Sequence, residues 1–322
     1  MKRESSFLIL LVFIFSCAEK APPKPDSISI AVPYEIDTVE PHSKTWLSNF
    51  AINSNFYEGL VKTDADMRIQ PCLATRWENP DVYTWIFHLR PSVKFHDGKK
   101  LDAHDVVYTF QRLLNSTDLE IRTYLTDVLE VIAIDSQTVK VRTSSPLAIL
   151  LNKLYNVFII PKGSTKEQLE QRVNGTGPYL LAEWKKGESI RMIRNEDYWG
   201  KKPSLNRVTY YLGRGPDQAV ATLASGQCQF AQYDSKAFEA IVRSYGNFEV
   251  HKLDNLFLKY LSYDVSRDQT PYCKARPNPF KNKLVRQAIH VGIDRTNLVA
   301  ELPTYATPAS QPVPAFVFGF NP

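Results

Sequence analysis

The fold is read from Tyr83-Thr84-Trp85-Ile86-Phe87-His88-Leu89-Arg90, then Phe95-His96-Asp97-Gly98, then Leu101-Asp102-Ala103-His104-Asp105-Val106-Val107-Tyr108. Successive side chains of a strand point to opposite faces, so Tyr83, Trp85, Phe87 and Leu89 share one apolar face. Gly98 closes a turn. Asp102 has the position of an N-cap, its carboxylate accepting from free backbone N–H groups, and Asp105 adds negative charge to the first helical turn. The block therefore reads strand, tight turn, strand or loop, capped helix. Its aromatic face is expected to be core, Gly98 a turn residue, and the two aspartates helix-start residues.

Working outward towards the N-terminus, Ser27 to Val32 alternates, with Ile28, Ile30 and Val32 on one face, and reads as the first strand. Asn49 to Leu60 has helical spacing. On the C-terminal side, Ile132 to Arg142 reads as two strands around Asp135-Ser136, Pro146 to Tyr155 as a short helix and Val157 to Ile160 as a buried strand. Strands follow at Tyr179–Trp184, Ile190–Arg194, Val208–Leu212 and Gln227–Ala231. Pro216 to Ser225 is a helix stopped by Gly226. Ser235 to Ser244 is a helix burying Phe238, Ile241 and Val242, Phe257 to Val265 a strand, and Asn282 and Asp294 open the last two helices.

Several of these motifs carry a resemblance. Leu89-Arg90, Phe95-His96-Asp97-Gly98 and Ala103-His104-Asp105-Val106 resemble the signature of bacterial extracellular solute-binding proteins of the oligopeptide/dipeptide-binding family, the receptors of peptide ABC importers. Tyr57-Glu58-Gly59-Leu60-Val61, Gly175-Thr176-Gly177-Pro178-Tyr179, Arg194-Asn195 with Tyr198-Trp199, Val285 to Ile289 and Ile293-Asp294-Arg295 are similar to the same family. Val39-Glu40-Pro41 stands where the family usually has Leu-Asp-Pro.

The resemblance implies an α/β fold, periplasmic-binding-protein-like and of class II, with mixed sheets flanked by helices. It also implies two lobes with an inserted extra domain. The expected division is 27–55 and 172–254 for lobe I, 56–171 for the insertion and 255–322 for the start of lobe II. Family members continue further, so the second lobe is expected to be incomplete: a fragment, a prematurely terminated gene or one half of a split receptor.

The ends of the chain read differently. Lys2 and Arg3 precede an apolar run from Phe7 to Phe15 that is too short to span a bilayer. Residues 1–16 are expected to be a signal peptide. Ile14-Phe15-Ser16-Cys17 resembles a bacterial lipoprotein cleavage box, which would make Cys17 the lipidation site; a plain secretory signal is the other reading. Residues 17–26, rich in proline, would then be a tether anchoring the protein to a membrane without spanning it. Of four cysteines, Cys72, Cys228 and Cys273 remain, enough for at most one disulfide and without the spacing of a zinc site.

With 322 residues, 43% hydrophobic and 23% charged, the chain is globular and long enough for more than one domain. A net charge of +5 with no basic cluster gives no nucleic-acid footprint. Gly175-Thr176-Gly177 lacks the Lys-Ser/Thr of a phosphate loop, and there is no Gly-x-Ser-x-Gly elbow. His96-Asp97 and His104-Asp105 could suggest a metal phosphohydrolase, but several ligands would have to converge on one cation. The expectation is therefore no catalysis and no cofactor.

By resemblance, the protein captures oligopeptides or dipeptides in the periplasm or cell envelope and hands them to an ABC permease, acting as a monomer. The segment after the first strand lies beside the ligand, which makes Tyr34 and Glu35 candidates. Tyr124 falls where relatives place a ligand-facing tyrosine, and Tyr260 lies on the strand expected to cross between lobes. The alternatives are a surface lipoprotein with an adhesive or decoy role, or a receptor for nickel, haem or a sugar.

Overall fold

The computed structural model describes residues 26–253, 257–271, 273–274 and 277–313; Cys17 and the signal and tether readings before Asp26 lie outside them. The strands are β1 (Ser27–Ala31), β2 (Val61–Thr63), β3 (Ile69–Pro71), β4 (Ala74–Asp81), β5 (Thr84–Leu89), β6 (Val128–Asp135), β7 (Thr138–Thr143), β8 (Tyr179–Lys185), β9 (Ser189–Arg194), β10 (Arg207–Tyr211) and β11 (Phe230–Ala231). The helices are α1 (Leu47–Asn53), α2 (Ala103–Leu114), α3 (Leu150–Leu154), α4 (Lys166–Gln171), α5 (Pro216–Ala224), α6 (Lys236–Ser244), α7 (Lys283–Gly292) and α8 (Arg295–Glu301).

Two larger sheets organise them. One has the order β11-β1-β10-β9-β8, with β1 parallel to both of its neighbours. The other is antiparallel, β4-β5-β7-β6. The chain leaves the first sheet after β1, builds the second, and returns at β8. This is a mixed α/β architecture, as expected.

The block from 83 to 108 folds largely as read. Trp85, Phe87 and Leu89 are buried, with Phe87 opposite Val139 and Trp85 opposite Val141. Gly98 has φ +88°. The His104 N–H donates to Asp102 Oδ1 at 2.7 Å and the Asp102 N–H to Asp105 Oδ2 at 2.9 Å, a reciprocal cap. Asp105 Oδ1 also accepts the Lys162 N–H at 2.7 Å, tying the 161–163 turn to the start of α2. Tyr83 departs from the reading: it sits in the turn before β5 and is exposed.

The two sheet units meet at Gly175-Thr176-Gly177. A Cβ on Gly175 would lie 2.1 Å from the Phe56 carbonyl oxygen, and one on Gly177 2.5 Å from the Phe56 carbonyl carbon, so only glycine fits against that backbone. Beside it, Glu58 is a buried hub. Its Oε2 accepts from Thr176 Oγ1 at 2.8 Å and Trp199 Nε1 at 2.7 Å, and its Oε1 from the Tyr198 hydroxyl at 2.7 Å. Burial pushes this carboxyl up, and the three donors oppose the shift. His96 is spent on the same junction: Nδ1 accepts the Gly175 N–H at 3.4 Å and Nε2 donates to the Gly177 oxygen at 3.1 Å.

Other expectations need correction. The helix read over 49–60 ends at Asn53, and just beyond it the Asn55 and Phe56 carbonyls accept the Tyr179 and Gly177 N–H groups at 3.1 and 2.8 Å instead of continuing a helical ladder. Val157–Ile160 is buried but makes only an isolated bridge, from Phe158 to Gly59. Phe257–Val265 forms no strand among the described residues. Ile241 on α6 is 38% exposed, whereas Phe238 and Val242 are buried. Cys72, Cys228 and Cys273 are free thiols.

Candidate functional site

The site is built along one segment, 32–45, which leaves β1 and runs between the two sheets. β1 lies between β10 and β11, and the carboxyl ends of these parallel strands coincide, Ala31 being in register with Tyr211 and Ala231. In open α/β sheets the crevice outside such ends is where ligands sit. Backbone bonds knit the loops there. The Gly213 N–H donates to the Tyr34 oxygen at 3.0 Å and the Arg214 N–H to the Val32 oxygen at 3.1 Å. The Tyr233 hydroxyl donates to the Arg214 oxygen at 2.6 Å.

Glu35 is exposed and lies over Gly213, whose φ is +62°; a Cβ there would come within 2.7 Å of Glu35 Oε1. Tyr34 is half-buried, its hydroxyl pushed up to about 12 by burial and then by neighbouring Tyr210. The Arg214 guanidinium sits 5.5 Å from the Tyr211 ring centroid, and its Nε is buried without a hydrogen-bond partner. The rim of this end therefore carries a carboxylate, a phenol and an arginine whose donor is not yet satisfied.

Further along, the segment is locked down. Glu40 has no exposed side-chain surface. Its Oε1 accepts from Arg112 Nη1 at 2.9 Å; its Oε2 accepts from Ser43 Oγ at 2.5 Å and the His42 N–H at 3.0 Å. Arg112 also donates to His42 Nδ1 at 2.6 Å, and His42 Nε2 donates to the Phe158 oxygen at 2.7 Å. Burial holds His42 down at about 4, so the ring is neutral and this tautomer follows from its two partners. Arg112 reaches this network from the last turn of α2.

Beyond that anchor the segment forms one wall of a crevice lined by Lys44, Asn49, Asn53, Tyr124, Asn156 and Phe158, among others. Glu120 fastens the short 3-10 turn Glu120–Leu125 to this wall. It takes the Lys44 ammonium at 2.9 Å, the Thr45 N–H at 3.0 Å and the Thr45 hydroxyl at 3.1 Å. Phe50 stacks on Phe158 at 5.3 Å behind it. Tyr124 is half-buried, and burial raises its hydroxyl.

Tyr34 and Glu35 thus lie together at the carboxyl ends of the strands, and the same segment leads from them to the crevice of Tyr124. Tyr260 joins neither group and is 76% exposed. Sequence reasoning missed Arg112, His42, Asn49, Asn53 and Arg214. Asn49 and Asn53 were legible as a polar pair four residues apart on one helix face; Arg112 and His42 carry no local signal, since only the fold brings them together.

Comparison with known proteins agrees with this architecture. The chain is 26% identical over 336 residues to the probable ABC transporter periplasmic-binding protein SapA of Escherichia coli K12, covering 92% of this chain and 60% of that one. It is 27% identical over 297 residues to the glutathione-binding protein GsiB of Salmonella paratyphi A, covering 89% and 56%. The chain thus spans well under two thirds of the length of these relatives. The solved structure of the ABC transporter-associated periplasmic binding protein DppA from Helicobacter pylori, in complex with the peptide STSA, superposes with a TM-score of 0.73. It shares 22% identity and covers 92% of this chain and 62% of that one, which speaks to the fold. A sequence model described as bacterial extracellular solute-binding proteins, family 5 Middle, matches residues 68–322, and the chain belongs to that family.

Proposed function

We propose that this chain is the solute-capturing part of an ABC importer, taking a peptide outside the cytoplasmic membrane and delivering it to a permease. The observation that carries this is the 32–45 segment, which leads from Tyr34 and Glu35 at the carboxyl ends of β1, β10 and β11 to the Tyr124 crevice. A peptide presents N–H and C=O groups, and the accessible end of this run, at Tyr34 and Glu35, is where polar side chains can meet them. Support comes from a relative called a glutathione-binding protein and another called a probable ABC transporter periplasmic-binding protein.

In this reading Tyr34, Glu35 and Tyr124 touch the ligand, and Tyr260 borders it from the side of lobe II. Lobe I is 27–55 with 172–254, the insertion is 56–171, and lobe II begins at 255. Cys17 carries the lipid that holds the monomeric protein at the membrane surface. Residues 18–322, a stretch that spans 56–60% of the length of these relatives, bind peptide weakly on their own, because hinge closure draws on both lobes and a closed-in charged amine needs an acidic partner.

The test is uptake of labelled tri-alanine and of glutathione by cells with the gene, without it, and with the Glu35→Ala or Cys17→Ala variant. Deletion should abolish uptake of at least one, Glu35→Ala should reduce it, and Cys17→Ala should shift the protein out of the membrane fraction. Undiminished uptake of both compounds after deletion would overturn the proposal, and tight micromolar peptide binding by residues 18–322 would overturn its statement about weak binding.

A further inference from the structure

A wider hollow shares no lining residue with the crevice beside α1. Its volume is about 380 Å³, within the roughly 300–1,000 Å³ of ordinary ligand pockets. One wall is the 97–99 turn and the other the stretch 161–174. Both walls are held in place. Asp105 Oδ1 accepts the Lys162 N–H at 2.7 Å, and the Tyr108 hydroxyl donates to the Ser164 oxygen at 2.7 Å. The Asp97 N–H donates to Asn174 Oδ1 at 3.2 Å, which ties one wall to the other.

The charge in the hollow is one-sided. Lys99, Lys162 and Arg172 share the lining with a single carboxylate, Asp97. Asp97 Oδ2 lies 3.8 Å from the Lys99 ammonium, which leaves Lys162 and Arg172 without an ion pair among the described residues. Asp105 stands behind the wall, and its two oxygens are taken by the Lys162 and Asp102 N–H groups. Glu167 and Glu170 of α4 do not line the hollow. Water satisfies a free N–H but does not cancel two positive charges, and a concave surface of one sign draws counter-ions in. The neutral groups agree in polarity. Gln168 Oε1 accepts the Thr165 N–H at 3.0 Å, and Asn174 Oδ1 is spent on Asp97, so the end that each amide has left is its N–H₂, a donor.

Two unpaired cations beside donors match an anion with two charges and several oxygens. A carboxylate or a phosphodiester brings one charge. A phosphate monoester brings close to two at neutral pH, with three strong acceptor oxygens. We propose that the hollow between the 97–99 turn and the 161–174 stretch binds a phosphate monoester, with Lys162 and Arg172 as its countercharges and Gln168 and Asn174 as neutral donors.

Isothermal titration of the full chain with glycerol 3-phosphate, in low-salt buffer at pH 8, should show saturable one-to-one binding that sodium chloride weakens. Lys162 and Arg172 are exposed, so Lys162→Gln with Arg172→Gln should leave the fold intact. This double variant should bind at least roughly tenfold more weakly, having lost two charge-assisted donors. Lys185→Gln with Lys186→Gln removes the same net charge from the β8–β9 turn and should leave the affinity unchanged. Succinate, with two charges but no clustered oxygens, should bind more weakly than glycerol 3-phosphate. So should glycerophosphoglycerol, the diester of a phospholipid headgroup. No saturable binding, an equal loss in the Lys185/Lys186 variant, or succinate or the diester binding as tightly as the monoester, would each overturn the proposal.

Discussion

Replacing Arg112 with methionine tests whether the 32–45 segment is held by the buried charge network. The substitution keeps the aliphatic stem and removes the guanidinium from Glu40 and His42. Glu40 then keeps the Ser43 hydroxyl and the His42 N–H on Oε2 but has no countercharge, and its side chain is fully buried. Leaving one partner of a buried ion pair unpaired costs roughly 3–5 kcal/mol; the two surviving bonds argue for the lower end, about 3 kcal/mol. For a domain of this size that corresponds to a fall in Tm of roughly 6–12 °C. Urea unfolding followed by far-ultraviolet circular dichroism measures the loss. Removing both charges, Glu40→Gln with Arg112→Met, leaves no buried unpaired ion, so the double variant should recover about 2 kcal/mol relative to the sum of the singles. An Arg112→Met loss below about 1 kcal/mol, or strictly additive singles, would show that the pair does not hold the segment.

Three further outcomes follow from the same packing. His42 is held at about 4 in the folded protein, below the ~6.5 of a free imidazole. The unfolded chain therefore binds more protons between those values, and the His42 contribution, full above pH 6.5, falls as pH drops towards 4. The loss is about 2 kcal/mol between pH 7 and 5, out of about 3 kcal/mol in all by pH 4 and below, and should be flattened in His42→Gln, as read from urea midpoints at pH 7 and 5. Gly213→Ala meets both a left-handed φ and the Glu35 carboxylate, so it should lose about 1–2 kcal/mol in thermal unfolding, with Glu35→Ala relieving part of that loss. Trp199→Phe removes a donor to the buried Glu58 carboxylate and should cost about 1–3 kcal/mol, while Glu58→Gln should make the same tryptophan change cheaper in a double-mutant cycle.

Local rules succeeded where structure is locally determined. The cap at Asp102 and Asp105, the turn at Gly98, the apolar faces of β5 and β7, the ends of α5 and the start of α7 are set within a few residues, and the sequence displayed them. The misses share a different cause. The helical spacing of Asn49 to Leu60 was real, but the Asn55 and Phe56 carbonyls pair with the Tyr179 and Gly177 N–H groups, a long-range demand that no local pattern shows. Phe257–Val265 has strand composition, yet a strand exists only through a neighbour's edge. Of the four ligand candidates, Tyr34 and Glu35 stand side by side and Tyr124 lies on the crevice, whereas Tyr260 was placed by a strand that did not form.

The two polar layers of the site have opposite hydrogen-bond balances. Within the 40–43 stretch, Glu40 and the His42 ring find partners on both sides, Arg112 and Phe158 among them, and a fully satisfied buried network fixes one geometry. On the adjoining crevice, Asn49, Asn53 and, at the other end of the segment, Arg214 present atoms with none. Unsatisfied groups in a soft region would collapse onto each other or turn to solvent. Held by a rigid floor, they stay open and lose little further freedom when a solute meets them. The saturated network therefore holds the crevice wall in place, and Arg112→Met should shift or broaden the Asn49 side-chain amide signal as well as weaken the fold. A variant that unfolds more easily while its Asn49 amide signal stays unchanged would separate the two layers and show that the crevice keeps its shape by other means.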